Sequence, residues 1–225
     1  MHCVLDGVGD YLTCNGVGSF LDSGTQALSI WFRSDVPGVN DCLIGWGEPS
    51  PATGEIRFHI SGGGDLYFAY TSDADVNTNR LGTVAVNDGA YHHLWAVLTQ
   101  TTVDWWLDGT KGNPAGAGSD TLSKVGLTIS ECLFGARHRG ASPQIPMDGA
   151  LFSIAMYSSD PGAAIRAGAY NSGAPVDERT FGPDHYWWFG DGGDAHPTII
   201  DRGAVGGADA TMISMSQASL QLGGP

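Results

Sequence analysis

Side chains able to do chemistry concentrate in residues 88–109, DGAYHHLWAVLTQTTVDWWLDG. The stretch holds adjacent His92 and His93, three tryptophans and three aspartates. An imidazole can act as a base or a metal ligand. An indole offers an apolar face with a polar edge, suited to stacking on a sugar ring. Two apolar runs flank the polar turn Thr99-Gln100-Thr101-Thr102, and Asp-Gly bounds each outer side. Closing a hairpin on that turn sets Leu98 against Val103, Ala96 against Trp105 and Leu94 against Leu107, one wholly apolar face. The other face sets Val97 against Asp104, Trp95 against Trp106 and His93 against Asp108, and a one-residue slip would exchange the two faces. Neighbouring strand residues point to opposite sides, so His92 and His93 cannot share a metal ion or relay a proton. His93 opposite Asp108 is expected to be a polar pair that stabilises the sheet. Trp46, in GWGEPSP, stands where a strand passes into a loop. Trp46, Trp95, Trp106 and His93 are therefore the candidate ligand or partner contacts. Parity assigns Trp31 and Trp105 to the core. The alternative for Trp95 and Trp106 is burial beneath the C-terminal segment 185–215, whose Trp187-Trp188 must also pack.

The elements that must position these groups read as strands. Short apolar runs recur about every ten residues between turn signals. They are Cys3–Leu5, Tyr11–Cys14, Gln26–Arg33, Asp41–Gly45, Ile56–Ser61, Asp65–Thr71, Tyr91–Leu98, Val103–Leu107, Cys132–Ala136 and Ala150–Tyr157, with weaker runs at Pro197–Asp201 and Asp209–Ser214. One helix is signalled near residues 161–170: Asp160 can cap it, Pro161 suits its first turn, AAIRAGAY follows, and Gly173 lies just past its end. Many spaced strands without alternating long helices predict an all-β fold, a sandwich or jelly roll. Gly112–Asp120 reads as the most flexible loop.

Composition narrows the function. The chain has 225 residues, a formal charge of −14 and only ten Lys and Arg. No basic patch could neutralise phosphates, which argues against nucleic acid and against an anionic membrane surface. No run is apolar enough to span a bilayer. The opening MHCVLDGVGDYL lacks the basic and apolar regions of a secretory signal, so synthesis in a cytoplasm is expected. Cys3, Cys14, Cys42 and Cys132 lack metal-ligand spacing. Cys42 and Cys132 open apolar runs and read as buried thiols, whereas Cys3 and Cys14 flank a hairpin and could pair. No GxSxG nucleophile elbow occurs, although a Ser-His-Asp set is spatial and escapes such a search.

Six blocks in order, LDGVGDYLTC, ALSIWFRSD, DGAYHHLWAVL, VDWWLDGT, LFGARH and MDGALFSIAMYS, resemble successive blocks of concanavalin A-like, laminin-G-like jelly-roll domains over roughly residues 4–173. Tyr91 stands where that pattern usually has Trp. The tail HYWWFGDGGDAHPTIIDRGAVGGADATMISM resembles a segment that many relatives carry before the first block, so the chain looks permuted. The resemblance implies a two-sheet antiparallel jelly roll occupying residues 1–225 as one domain, with residues 176–225 completing the sandwich. It also implies that Asp108 and Asp148, each before Gly, are candidate calcium ligands; turn chemistry is the alternative, and no other cofactor is expected. Glucanases among these domains place two carboxylates on one strand. Glu48, Glu55, Glu131 and Glu178 do not have that spacing, so no enzyme is expected. AYNSGAP followed by WWFGDG resembles stand-alone laminin-G-like proteins of tailed, especially marine, phages. That implies a non-enzymatic virion protein, a capsid decoration or small fibre component packed against capsid or other virion proteins and its own copies. The alternative is a carbohydrate-binding module for host surface glycans.

Overall fold

Apolar residues alternate with polar or small ones along most of the chain, and glycine-bearing turns cut it into short strands. The computed structural model describes residues 2–21, 24–47, 54–72, 75–80, 84–112, 119–121, 124, 129–139, 142–191 and 193–221. In chain order the strands are β1 (His2–Asp6), β2 (Tyr11–Thr13), β3 (Gln26–Ser34), β4 (Asp41–Gly47), β5 (Glu55–Ile60), β6 (Leu66–Ser72), β7 (Asp75–Arg80), β8 (His92–Leu98), β9 (Thr102–Leu107) and β10 (Thr110–Lys111). There follow β11 (Ser119–Thr121), β12 (Glu131–Phe134), β13 (Arg137–Arg139), β14 (Ser142–Gln144) and β15 (Asp148–Tyr157). The helix α1 (Ala163–Tyr170) then precedes β16 (His185–Trp188), β17 (Thr198–Ile199), β18 (Ala210–Ile213) and β19 (Leu220–Gln221).

Two antiparallel sheets form the sandwich. The first runs β10-β9-β8-β3-β15-β1-β19, with β11 also on β9 and β16 also on β15. The second runs β17-β18-β2-β12-β4-β5-β6-β7. Leu28, Ile30, Phe32, Leu94, Ala96 and Leu98 from the first sheet meet Ile44, Trp46, Ile56, Phe58, Ile60 and Phe134 from the second. The hairpin has the register expected from its sequence: Leu94 pairs with Leu107, Trp95 with Trp106 and Ala96 with Trp105. Residues after 185 add strands to both sheets, with Trp187 opposite Ile154 and Met212 opposite Leu12.

The outer face of the first sheet carries a third layer. Ala27, Trp95, Val97, Ala155 and Tyr157 pack there against Ala169 of α1 and Tyr186 of β16. Trp31 belongs to this face and not to the core. It pairs in register with His93 and donates its indole N–H to Ala169 O at 3.1 Å. A strand buried on both sides has two apolar faces, so parity alone could not assign Trp31.

The helix begins at Ala163, two residues later than Pro161, because Asp160 Oδ1 accepts the Gly162 N–H in a local turn and caps nothing. Asn171, in the left-handed region, ends it before Gly173. All four cysteines are free and buried, which removes the Cys3–Cys14 pairing. Cys14 donates its S–H to Ala208 O instead. Most of the Gly112–Asp120 loop lies outside the described residues, as does Glu48.

Candidate functional site

The tryptophan face expected to meet a ligand is covered. Trp46 and Trp95 are both 0% exposed, Trp46 inside the core and Trp95 beneath the third layer. Neither can stack on a sugar, which corrects that expectation. Trp106 is half-buried, but Arg166 of α1 holds its guanidinium carbon 3.7 Å from the ring centroid and Lys111 Nζ stands 5.1 Å away. A sugar would have to displace a cation already stacked there.

His93 also departs from expectation. Its backbone does face Asp108, whose N–H donates to His93 O, but its ring makes no pair with that carboxylate. Asp108 has left the extended conformation (φ 50), so strand alternation no longer sets its side. Its Oδ2 lies 2.8 Å from His92 Nδ1, and its Oδ1 accepts the His93 N–H at 2.9 Å. Burial pulls the His92 pKa down, but the hydrogen bonds and charges of Asp108 and Asp88 outweigh it, and the net direction is up. The His93 ring stacks on Trp31 at 4.8 Å, and burial pushes its pKa down to about 3.

His93 Nε2 lies 2.8 Å from Ser29 Oγ, which in turn donates to Glu178 Oε1 at 2.8 Å. Serine, histidine and carboxylate thus meet, but in the wrong order for a hydrolase. In a catalytic triad the imidazole stands between hydroxyl and carboxylate; here the hydroxyl stands between the other two. All three are also almost fully buried, His93 at 1% and Ser29 and Glu178 at 0% exposure. The set is a closed polar network under the helix.

The two calcium candidates, Asp108 and Asp148, are both engaged in hydrogen bonds within the fold. Both Asp108 oxygens are committed to His92 and His93. Among the described residues, no group of three or more His, Cys, Asp or Glu side chains is placed to hold a metal ion. Asp148 donates its N–H to Asp41 Oδ1 at 3.0 Å and opens β15, in register with Asp6 of β1.

The outer face of the second sheet is different. Along β5, EIRFHI alternates strictly: Ile56, Phe58 and Ile60 enter the core, and Glu55, Arg57 and His59 face outward. Arg57 Nη1 donates to Glu55 Oε2, and Arg137 Nε stands 3.6 Å from Glu55 Oε1. β13 reaches this position because Gly45, paired with Arg57, has no side chain. A Cβ there would lie 3.0 Å from Arg137 Cα. His59 stacks on its cross-strand partner Tyr67 at 5.3 Å. Burial first, then Arg57 and Arg137, push the His59 pKa down to about 4. Arg57 and His59 are only 8% and 9% exposed. Arg57 Nε and His59 Nδ1 nonetheless find no hydrogen-bond partner among the described residues. Buried polar atoms are normally satisfied, and these two lie in adjacent rows of one outer face, unlike the orphaned indole nitrogens of Trp46 and Trp95, which are enclosed. The sequence carried the signal: three ionisable residues alternating along one strand, in a chain with ten Lys and Arg.

A family model described as the concanavalin A-like lectin/glucanases superfamily matches residues 6–163. The chain belongs to that superfamily. It is similar to a CBM40 domain of the Ruminococcus gnavus IT-sialidase, solved bound to α2,3-sialyllactose, with TM-score 0.58 and 7% identity over 76% of this chain and 98% of that one. It is also similar to a Bacteroides ovatus protein described as a candidate carbohydrate binder, with TM-score 0.60 and 14% identity over 94% of this chain and 58% of that one. A third likeness is to domains LG4-5 of the mouse laminin α1 chain, with TM-score 0.53 and 13% identity over 70% of this chain and 42% of that one. No curated protein matches. No helix among the described residues is long and apolar enough to cross a membrane.

Proposed function

We propose that the chain is a non-catalytic carbohydrate-binding module whose ligand face is the outer side of the second sheet around Arg57, His59 and Tyr67. One observation carries the reading: Arg57 Nε and His59 Nδ1 are held in place, buried, and used by no described residue. Sugar hydroxyls both donate and accept, so a hydroxyl admitted by a small shift of the covering side chains would complete both bonds. Tyr67, half-buried beside it, adds an aromatic ring for the apolar face of a pyranose. Superfamily membership and the carbohydrate-binding neighbours support the same class. The order of Ser29, His93 and Glu178, and their burial, speak against hydrolysis at that site. The test is a glycan array probed with the wild type, Arg57→Gln and Trp106→Ala. Binding lost in Arg57→Gln and kept in Trp106→Ala is expected. The reverse pattern would return the site to the hairpin.

The resemblance of AYNSGAP and WWFGDG to tailed-phage proteins favours a setting for such a module, display on a virion as a decoration or small fibre protein. An acidic exterior with formal charge −14 suits a crowded particle surface. Protein copy number in purified particles tests this: hundreds fit decoration, tens fit a fibre, and absence removes the virion role.

A further inference from the structure

We infer that the stack of Arg166 on Trp106, on the outer face of the first sheet, is a second binding site and that its ligand is a carboxylate. The site uses no residue of β5 and does not depend on the glycan reading. Ion pairing gives the first argument. Among the arginines whose side chains are described, Arg33 pairs with Asp35, Arg57 and Arg137 with Glu55, Arg179 with Asp177, and Arg202 with Asp191 and Asp194. Among these described arginines, Arg166 alone pairs with no carboxylate, and its guanidinium makes no hydrogen bond. In a chain with 24 Asp and Glu against ten Lys and Arg, a guanidinium left without an acid is the exception. Trp106 Nε1 has no partner either, and neither it nor any guanidinium nitrogen of Arg166 is enclosed. These donors are open to a ligand.

Geometry gives the second argument. Ile165 and Ala169 of α1 pack into the cluster around Trp95. The end of the helix seats on the turn at 108–110 because Gly109 (φ 73) has no side chain; a Cβ there would lie 2.5 Å from Tyr170 Cδ1. The Arg166 guanidinium carbon thereby stands 3.7 Å from the Trp106 ring centroid. Lys111, in register with Trp106, places Nζ 5.1 Å from the same centroid and pairs with Asp104 at 3.4 Å. Stacking uses the face of a guanidinium, whereas its five N–H groups lie in its plane. The cation is therefore held flat with its hydrogen-bonding edge free. Two parallel N–H groups on that edge meet both oxygens of a carboxylate. A chain of formal charge −14 repels a ligand in proportion to the ligand's charge. A singly charged carboxylate is therefore favoured over a phosphate monoester at about −1.5 to −2. One exposed contact of this kind holds its ligand in the millimolar range, well below what a glycan array retains.

The experiment follows the Arg166 Nε–H and Trp106 Nε1–H signals in proton–nitrogen correlation spectra of the intact protein at constant ionic strength. The titrants are acetate, methyl glucuronoside, the methyl ester of that glucuronoside, and methyl sulfate. Both signals should move saturably with the two acids, which should bind at least about tenfold tighter than the ester, as for loss of a charge-assisted hydrogen bond. Arg166→Gln should abolish that difference, and Arg166→Lys should keep only part of it, since lysine lacks the planar fork. Glucuronoside binding tighter than acetate supports the site with an acidic sugar as its ligand. Equal binding of the two supports it with a free carboxylic acid. Equal response to acid and ester, tighter binding of methyl sulfate than of either acid, or shifts that never saturate would overturn the inference. The ester alters only the ligand, so the wild-type titration decides even where a variant does not fold.

Discussion

Replacing Glu178 by glutamine should stabilise the protein at alkaline pH and leave it nearly unchanged in acid. Glu178 is fully buried, with Oε1 accepting from Ser29 Oγ at 2.8 Å and Oε2 accepting from Tyr157 O–H at 3.1 Å. Burial lifts its pKa from an ordinary 4.5 to about 7, only partly opposed by those two bonds, and the charge of Asp177 adds to the lift. A carboxyl that holds its proton more tightly folded than unfolded contributes stability that is fully present below about 4.5. That contribution is lost as pH rises through about 7. At about 1.4 kcal/mol per unit, the ionised Glu178 destabilises the native state by about 3 kcal/mol at pH 8. Glutamine keeps the volume, accepts from Ser29 and donates to the Tyr157 oxygen, and does not titrate. Urea denaturation of wild type and Glu178→Gln at pH 5, 6, 7 and 8 measures the difference. To first order, subtracting the two curves cancels the other titrating groups, including His93, whose lowered pKa acts in the opposite direction. The variant should exceed wild type by no more than about 1 kcal/mol at pH 5 and by about 3 kcal/mol at pH 8. A flat difference would refute the reasoning. A gain growing toward acid would mean that Glu178 is ionised in the fold, sharing Ser29 with a protonated His93.

Asp108→Asn should cost about 1 kcal/mol more at pH 5 than at pH 8.5 in the same assay, because the Asp108 charge supports protonated His92, whose raised pKa makes that pair an acid-side contribution. Asparagine tolerates the positive φ and still accepts the His93 N–H, so the backbone is spared. Trp46→Ala and Trp95→Ala should each lose about 3–5 kcal/mol as buried indoles leave cavities. Trp106→Ala should lose only about 1–2 kcal/mol, the worth of a half-buried ring and its cation stacking. Gly45→Val should cost about 1–3 kcal/mol by pressing on Arg137, and it should weaken glycan binding because β13 must shift.

The hairpin was legible because its faces differ in polarity and its turn fixes the register. Leu94 to Leu98 and Val103 to Leu107 could pair only one way without exposing a full apolar row. Trp31 was not legible, since ALSIWF is apolar on both sides and only the position of α1 says which side is which. That position is a tertiary fact. It depends on small residues such as Gly168, where a Cβ would meet the Phe181 ring at 2.8 Å. The His93–Asp108 pairing failed for a local reason, the left-handed turn at Asp108 that sends its carboxylate to His92. Arg57 and His59 lie in plain view within EIRFHI, on the polar half of its alternation. What the sequence could not supply was their burial, because Arg137, far along the chain, returns against Gly45, the cross-strand partner of Arg57.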